Sequence, residues 1–322
     1  MSSLFLAADT GGSKTIWRVL NACGETVKTV KTIGMASVEE GVIPVKQIVL
    51  DAKETIGKEY QFCSIFLSLG GPNTDEVQKA LSAAWPEAVI TVRRESDGYA
   101  ILRAARELSC TSAVMCGTGS TAVGMKNGKM RYSGGWGPIY ADGGSGGGIG
   151  KEALKMFLKS LDGEGKKSGL SMLFEKVTEG LDIEEYADRM EAKRRALNMS
   201  RSELAALAPE IYNMFLHGNR EAKQLYEEAA EEIARMADDV TDNNILSSVL
   251  LCGGFFKNKP ELLKLCRDHF ASKSNARLVY VEKMEPITGA CIITLEEAGI
   301  NVNHEIFSNI LNEKEKKNEI CN

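Results

Sequence analysis

The sequence predicts an α/β protein built as two half-domains, and three observations carry that prediction. Two segments far apart in the chain share one pattern: Ala7-Ala8-Asp9-Thr10-Gly11-Gly12-Ser13-Lys14-Thr15 and Met115-Cys116-Gly117-Thr118-Gly119-Ser120-Thr121. Each follows an apolar run, sets glycine among small hydroxyl residues, and passes into a second strand-like run, Ile16–Leu20 or Ala122–Met125. Apolar runs also alternate with amphipathic stretches at both ends of the chain, the pattern of sheets covered by helices. Finally, 322 residues are long for one core and comfortable for two domains.

Taken in order, Leu4–Ala8, Ile16–Leu20, Ile65–Leu69 and Val89–Val92 read as strands. Pro44–Glu59, Asp75–Trp85 and Gly98–Leu108 read as helices, giving a βββ–α–β–α–β–α order and a mixed sheet. Residues 111–150 are dense in glycine, yet Ala113-Val114-Met115 and Trp136-Gly137-Pro138-Ile139-Tyr140 are interleaved with it. Flexible linkers rarely carry such runs, so strands and ligand-facing turns are expected there. Helices then dominate: Lys151–Leu161, Ile183–Met199, Ser202–His217, opened by Ser202-Glu203, and Arg220–Asp242, with Asn219 as a candidate cap. A second α/β unit follows with strand Ser248–Cys252, a Gly253-Gly254 turn, helix Pro260–His269, strand Arg277–Val281 and helix Thr288–Ala298. The Lys- and Glu-rich tail Asn312–Asn322 reads as frayed. The domain division expected is 1–112 and 113–322, with a helical insertion over roughly 150–242 and the helix from about 286 able to pack back onto the first domain.

Composition narrows the function. A hydrophobic content of 43% and a charged content of 26% are ordinary for a globular enzyme. A net charge of −5 weighs against a nucleic-acid surface, which needs a concentrated basic stripe. The start has no basic segment ahead of a long apolar core, and no apolar run is long enough to cross a membrane, so a cytoplasmic location without a membrane partner is expected. The 8 cysteines (Cys23, Cys63, Cys110, Cys116, Cys252, Cys266, Cys291 and Cys321) contain no C-x-x-C pair, and the 3 histidines (His217, His269 and His304) are widely spaced. Neither a zinc site nor a disulfide framework is expected from that distribution.

Backbone N–H groups in Gly/Ser/Thr turns point into a concavity that suits anions, and glycine lets the chain approach phosphates closely. Two such turns suggest half-domains gripping a polyphosphate from opposite sides. Ser13-Lys14-Thr15 resembles the end of a P-loop, but Ser13 stands where that motif needs glycine, and a strand follows instead of a helix. Gly117-Thr118-Gly119-Ser120-Thr121-Ala122 fits a dinucleotide fingerprint formally, yet Asn127-Gly128 arrives within a few residues and implies a hairpin.

The ordered set Asp9–Thr15, Gly117–Ser120, Gly134-Gly135-Trp136-Gly137 followed by Asp142, and Cys252-Gly253-Gly254 resembles the actin/Hsp70/sugar-kinase superfamily. Within it, the set is similar to the N-acetylglucosamine kinase and BadF/BadG/BcrA/BcrD ATPase branch, over nearly the whole chain from Leu4 to about Ala298. The resemblance implies two RNase H-like (actin-like ATPase) domains with an active-site cleft between them, ATP and Mg²⁺ as cofactors, a small sugar as substrate, and a homodimer.

It also implies roles for particular residues. Asp9 matches the acid that holds magnesium through water, one carboxylate sufficing beside the phosphates; the plain alternative is a turn aspartate. Thr10, Gly11, Gly12, Ser13, Lys14 and Thr15 would face the nucleotide, with Lys14 either near a phosphate or simply solvated. Gly117, Thr118, Gly119 and Ser120 would form the second phosphate turn. Asp97, in Arg93-Arg94-Glu95-Ser96-Asp97-Gly98, matches the catalytic aspartate that takes the sugar hydroxyl's proton; alternatively Asp97 or Ser96 caps a helix. Gly135, Trp136 and Asp142 match the sugar segment, with Trp136 either stacking on sugar or filling a core. Gly253, Gly254 and Phe255 match the adenosine loop, or form an ordinary β–α turn.

The chain departs from its relatives at two places. Where they read Gly-Asp-Glu-Gly-Ser, it has Ala141-Asp142-Gly143-Gly144-Ser145, and the asparagine expected near Gly34-Met35-Ala36-Ser37 is missing, leaving Ser37 as the sugar-facing candidate. Losing polar contacts retunes specificity. The resemblance thus implies an amino-sugar kinase acting on the 6-hydroxyl of N-acetylglucosamine, or on N-acetylmuramic acid or glucosamine. The alternatives are a BadF-type ATPase activating a partner enzyme, for which neither Cys110 nor Cys116 sits in a recognisable cluster loop, and a non-catalytic sugar sensor.

Overall fold

The chain is described by a computed structural model over residues 3–11, 14–35, 45–69, 74–93, 96–137, 139–140, 142–162, 168–242 and 247–312. It divides into two units, Met1–Cys110 with Lys283–Asn322, and Thr111–Glu282. The second unit ends at Glu282, so the segment after it belongs with the N-terminal residues.

In unit 1, strands β1 (Leu4–Thr10), β2 (Lys14–Asn21) and β3 (Thr26–Ile33) precede helix α1 (Val45–Ile56). Then come β4 (Ser64–Leu69), α2 (Thr74–Ala84), β5 (Val89–Arg93) and α3 (Ser96–Arg106). The sheet order is β3-β2-β1-β4-β5, with β1, β2 and β3 antiparallel and β1, β4 and β5 parallel. Phe5, Leu6, Ala7 and Ala8 are all buried, as are all residues of β4, which is why these strands read as largely apolar runs, broken in β4 by Ser68. One face, through Leu6, Ala8, Trp17, Ile65 and Leu67, packs with Ile48, Val49, Val77 and Leu81 of α1 and α2.

In unit 2, β6 (Ser112–Cys116), β7 (Ser120–Lys126) and β8 (Lys129–Gly134) lead into α4 (Gly146–Ser160). A helical stretch follows: α5 (Glu175–Thr178), α6 (Tyr186–Leu197), α7 (Arg201–Ala206), α8 (Ala208–Leu216) and the long α9 (Arg220–Val240). Strand β9 (Ser248–Cys252), helix α10 (Pro260–Ala271) and strand β10 (Arg277–Tyr280) complete it. The sheet runs β10-β9-β6-β7-β8, with β6, β7 and β8 antiparallel and β6, β9 and β10 parallel. Read from the other edge, this is unit 1's topology repeated, strand for strand.

The chain returns to unit 1 in α11 (Pro286–Glu297) and α12 (His304–Asn312). Helix α11 crosses α3 where Gly289 lies so near the Ala100 carbonyl that a Cβ there would sit 1.7 Å from the oxygen. The crossing is tied by Arg103, which donates to Glu296 at 2.5 Å and to Glu107 at 2.7 Å. Helix α12, absent from the sequence reading, accepts from the buried Arg18 guanidinium through the Ile310 carbonyl at 3.2 Å.

Several expectations hold closely. Asn127 (φ 53°) and Gly128 (φ 71°) make the hairpin between β7 and β8, and Asn219 caps α9 by accepting from the Ala222 N–H at 3.0 Å. Three need correction. The glycine-rich segment expected as strands and turns already turns helical at Gly146, because Ser145 caps α4 by accepting from the Gly148 N–H at 3.1 Å. Helix 202–217 breaks at Leu207, with Pro209 in the first turn of α8. Its opening cap is Ser200, whose side chain and that of Glu203 form a reciprocal capping box, rather than Ser202. Among the described residues no helix is long and apolar enough to cross a membrane.

Candidate functional site

In unit 1 the parallel strands end together, the edge at which α/β sheets gather ligands. Asp9 of β1 stands opposite Ser68 of β4, and Ser68 opposite Arg93 of β5, so one row crosses the strand ends. Side chains alternate along a strand, which puts Asp9 on the face of Phe5 and Ala7, and Ser68 on that of Phe66. Asp9 is half-buried. The Ser68 hydroxyl is buried and has no hydrogen-bond partner within the protein. Helix α3, which carries Asp97 in its first turn, starts just beyond β5.

The turn from β1 to β2 closes with the Gly11 N–H donating to the Lys14 carbonyl at 3.0 Å. Thr10 and Thr15 are fully buried and their hydroxyls lie 2.7 Å apart. Thr15 donates to the Ile33 carbonyl at 3.1 Å, and the Met35 N–H donates to Thr10 at 3.0 Å. Their side chains therefore knit β1, β2 and the end of β3, leaving the backbone and the exposed Lys14 to face outward. Gly12, Ser13 and Ser37 lie outside the described residues, as does the side chain of Asp97.

Unit 2 builds the corresponding turn differently. The Gly117 N–H donates to the Gly119 carbonyl at 2.9 Å, which tightens the loop from β6 to β7. The Gly146 and Gly147 N–H groups at the start of α4 donate to the Gly117 and Thr118 carbonyls at 2.9 and 3.1 Å. Since each peptide is planar and trans, turning those carbonyls toward α4 directs the N–H groups of Thr118 and Gly119 away from it. Ser120 follows, buried, with a hydroxyl that has no partner. Two peptide donors and an unpartnered hydroxyl on three consecutive residues form a cradle for an anion.

Glycine is required where α4 meets this loop. A Cβ on Gly147 would lie 2.4 Å from the Thr118 carbonyl oxygen, and one on Gly148 2.0 Å from that of Asp142. Asp142 itself is buried, with φ 72°. Its Oδ1 accepts from the Ser120 N–H at 3.0 Å and its Oδ2 from the Arg201 guanidinium at 2.6 Å. The structure thus brings Asp142 to the Gly117–Ser120 turn, with its carboxylate engaged on both oxygens.

The other expected residues fall at separate places in the same unit. Trp136 is 79% exposed, which removes the core alternative; Gly135 before it has φ 74°. Gly253 has φ 102°, and a Cβ on it would sit 2.3 Å from the Cys116 carbonyl oxygen, so it seats the end of β9 against the end of β6. Gly254 faces open space. The Phe255 ring is buried and stacks on Tyr226 at 6.0 Å, while its carbonyl accepts from the buried Lys259 at 2.9 Å. Burial pushes the Lys259 ammonium below its ordinary range.

Two residues escaped sequence reasoning. Ser68 sits inside an apolar strand, with nothing local to mark it. Arg201 reaches Asp142 across 59 positions, a pairing no local signal reveals, although the capping box Ser200-x-x-Glu203 does place it first in a helix.

A family profile, that of the BadF/BadG/BcrA/BcrD ATPase family, matches residues 8–293. An N-acetylmuramic acid/N-acetylglucosamine kinase of Clostridium acetobutylicum is 27% identical over 239 residues, covering 71% of this chain and 76% of the relative. An N-acetyl-D-glucosamine kinase of Dictyostelium discoideum is 24% identical over 321 residues, covering 91% and 98%. Among solved structures, a protein provisionally named N-acetylglucosamine kinase from Chromobacterium violaceum superposes with a TM-score of 0.68 at 21% identity, covering 91% of this chain and 99% of that one. A ROK family glucokinase from Streptomyces griseus, solved with glucose and AMPPNP, superposes with a TM-score of 0.56 at 13% identity, covering 91% and 100%.

Proposed function

The chain belongs to the BadF/BadG/BcrA/BcrD ATPase family, and from that premise we propose that it is an ATP-dependent amino-sugar kinase. The acceptor is the 6-hydroxyl of N-acetylglucosamine or a close relative such as N-acetylmuramic acid or glucosamine, in keeping with the names of its relatives. The observation that carries the reading is the Gly117–Ser120 turn, where outward peptide donors and the unpartnered Ser120 hydroxyl suit a nucleotide's phosphates.

Asp97 is the general base in this reading. Its carboxylate accepts the proton of the attacking hydroxyl while the new O–P bond forms and the bond to the ADP leaving group breaks, a contribution of about 10²–10⁴ in rate. Asp9 and Ser68 offer the oxygen-only donor set that magnesium takes, Asp9 holding the ion through water. When bound, magnesium neutralises charge on the phosphates. In this reading Gly11, Gly12, Ser13 and Lys14 are nucleotide-binding residues, as are Gly253, Gly254 and Phe255, where Gly254 faces open space. Ser37, Gly135 and the exposed Trp136 are the sugar-side residues, and the Asp142 carboxylate accepts from Ser120 of the phosphate turn.

The BadF-type activator reading gains no support from the cysteines it would use. Cys110 and Cys116 are both buried, and burial holds each thiol above its ordinary range, Cys110 at about 11. A cytoplasmic homodimer completes the proposal, and sedimentation of the purified chain checks the assembly.

Incubation with Mg-ATP and a panel of amino sugars, following ADP release, tests the activity. N-acetylglucosamine or a near relative raises turnover well above the ATP-only rate, and Asp97→Asn abolishes the rise. If no sugar stimulates, or the variant keeps pace with the wild type, the kinase reading fails.

A further inference from the structure

The anion cradle of unit 2 has a carboxylate beneath it. Asp142 is 3% exposed, and its Oδ1 lies 3.0 Å from the backbone N of Ser120, whose buried hydroxyl has no hydrogen-bond partner. An unbalanced carboxylate there would repel every phosphate approaching the turn, since charges this close and poorly solvated interact strongly.

The charge that balances it comes from α7. The Arg201 guanidinium donates to Asp142 Oδ2 at 2.6 Å, and it lies so close over Gly119 that a Cβ on that glycine would sit 1.8 Å from Nη2. The side chain stays 40% exposed, so it faces both the acid below and the space in front of the turn. Arg235 of α9 is engaged by Glu232 at 2.7 Å and Asp239 at 2.5 Å. Glu232, whose side chain lies beside Gly143, the residue after Asp142, thereby has its own counter-ion.

We propose that Arg201 is a positioning residue for nucleotide binding, whose charge cancels Asp142 and so turns the Gly117–Ser120 loop into a phosphate site. Arg201 acts through Asp142 and leaves the chemistry of transfer to other residues. The inference rests on the reading of this turn as the phosphate site, and it assigns a function to the helical insertion, which otherwise only covers the sheet.

The sign of two substitutions makes the idea testable. Arg201→Gln exposes the turn to the uncompensated acid, and the KM for ATP rises by about ten- to a hundredfold with a smaller change in kcat. Asp142→Asn keeps an oxygen for the Ser120 N–H while removing the negative charge, so the KM for ATP stays level or falls. The double variant Arg201→Gln/Asp142→Asn recovers affinity to within about threefold of wild type, because the repulsion has gone with its source. Melting curves on each variant establish that the chain is folded.

A double variant no better than Arg201→Gln, or an Asp142→Asn variant as impaired as Arg201→Gln, overturns the proposal, since either shows a brace in place of a charge balance. Titration of the wild-type chain with Mg-ATP separates the levels: wild type that binds no ATP refutes the phosphate-site reading itself, whereas wild type that binds ATP with variants that do not differ refutes only the role of Arg201.

Discussion

The two units share a topology and differ in what they place at the end of their central strand. One residue before that end unit 1 has a polar pair, Asp9 opposite Ser68; in unit 2 the matching pair is Met115 opposite Cys252, both apolar. The turns that follow differ in the same sense. Unit 1 spends its threonine hydroxyls on knitting strands together and leaves an acid at the strand end. Unit 2 turns peptide donors outward, buries its acid under the loop and balances it with an arginine. One backbone plan thus carries two electrostatic characters: a carboxylate end suited to cations and protons, and a donor-rich end suited to anions.

The largest effect expected from challenging that division is at Asp97. Replacing it with Asn lowers kcat by about 10²–10⁴ while the Kd for ATP, measured by titration, stays within about threefold, because the base and the phosphate turn belong to different units. Moving the acid across comes next. Met115→Asp places a charge in an apolar pair with no counter-ion and lowers stability by about 3–5 kcal/mol in denaturant unfolding. Gly253→Ala costs about 1–3 kcal/mol, read as a fall in Tm, since it forces a Cβ to φ 102° and against the Cys116 carbonyl. Ser68→Ala removes a hydroxyl that has no protein partner, so it changes stability by only about 0.5 kcal/mol while raising the magnesium concentration needed for half-maximal rate.

The smallest effect is a pH slope. Burial raises the Cys110 thiol to about 11 in the folded chain, above an unfolded value near 9.0. The folded state therefore holds that proton more tightly, its contribution is complete below the unfolded value, and stability declines as the pH climbs from about 9 to about 11. Unfolding midpoints across that range show the decline, and Cys110→Ala lessens it, the buried Cys116 thiol keeping part of the slope.

How much of this was legible in the sequence depended on whether the signal was local. Strands β1 and β4 are buried on both faces, so their apolar runs announced them. The Asn127-Gly128 hairpin and the Asn219 cap were equally plain, each depending on residues within a few positions. The glycines before Lys151 misled, because glycine marks turns and close approach alike, and here Gly147 and Gly148 let a helix start against a loop. Helix α12 is short and buries only Phe307 and Ile310, too little apolar signal to stand out. At the site, the two turns were visible as motifs, but the pairing of Asp142 with Arg201 is a product of the tertiary fold.

The return of the chain to unit 1 has a consequence for how the protein comes off the ribosome. Phe5, Ala7 and Phe66 lie on the face opposite the one that packs with α1 and α2, and α11, whose Gly289 fits against Ala100 of α3, is made only after the whole of unit 2. Unit 2 is continuous in the chain and is complete first, while the earlier-made unit waits, its second face covered only in part by α3, for its last helices. The N-terminal unit is thus begun first and finished last, and nascent chains stalled before Lys283 are where a chaperone should find apolar surface to hold.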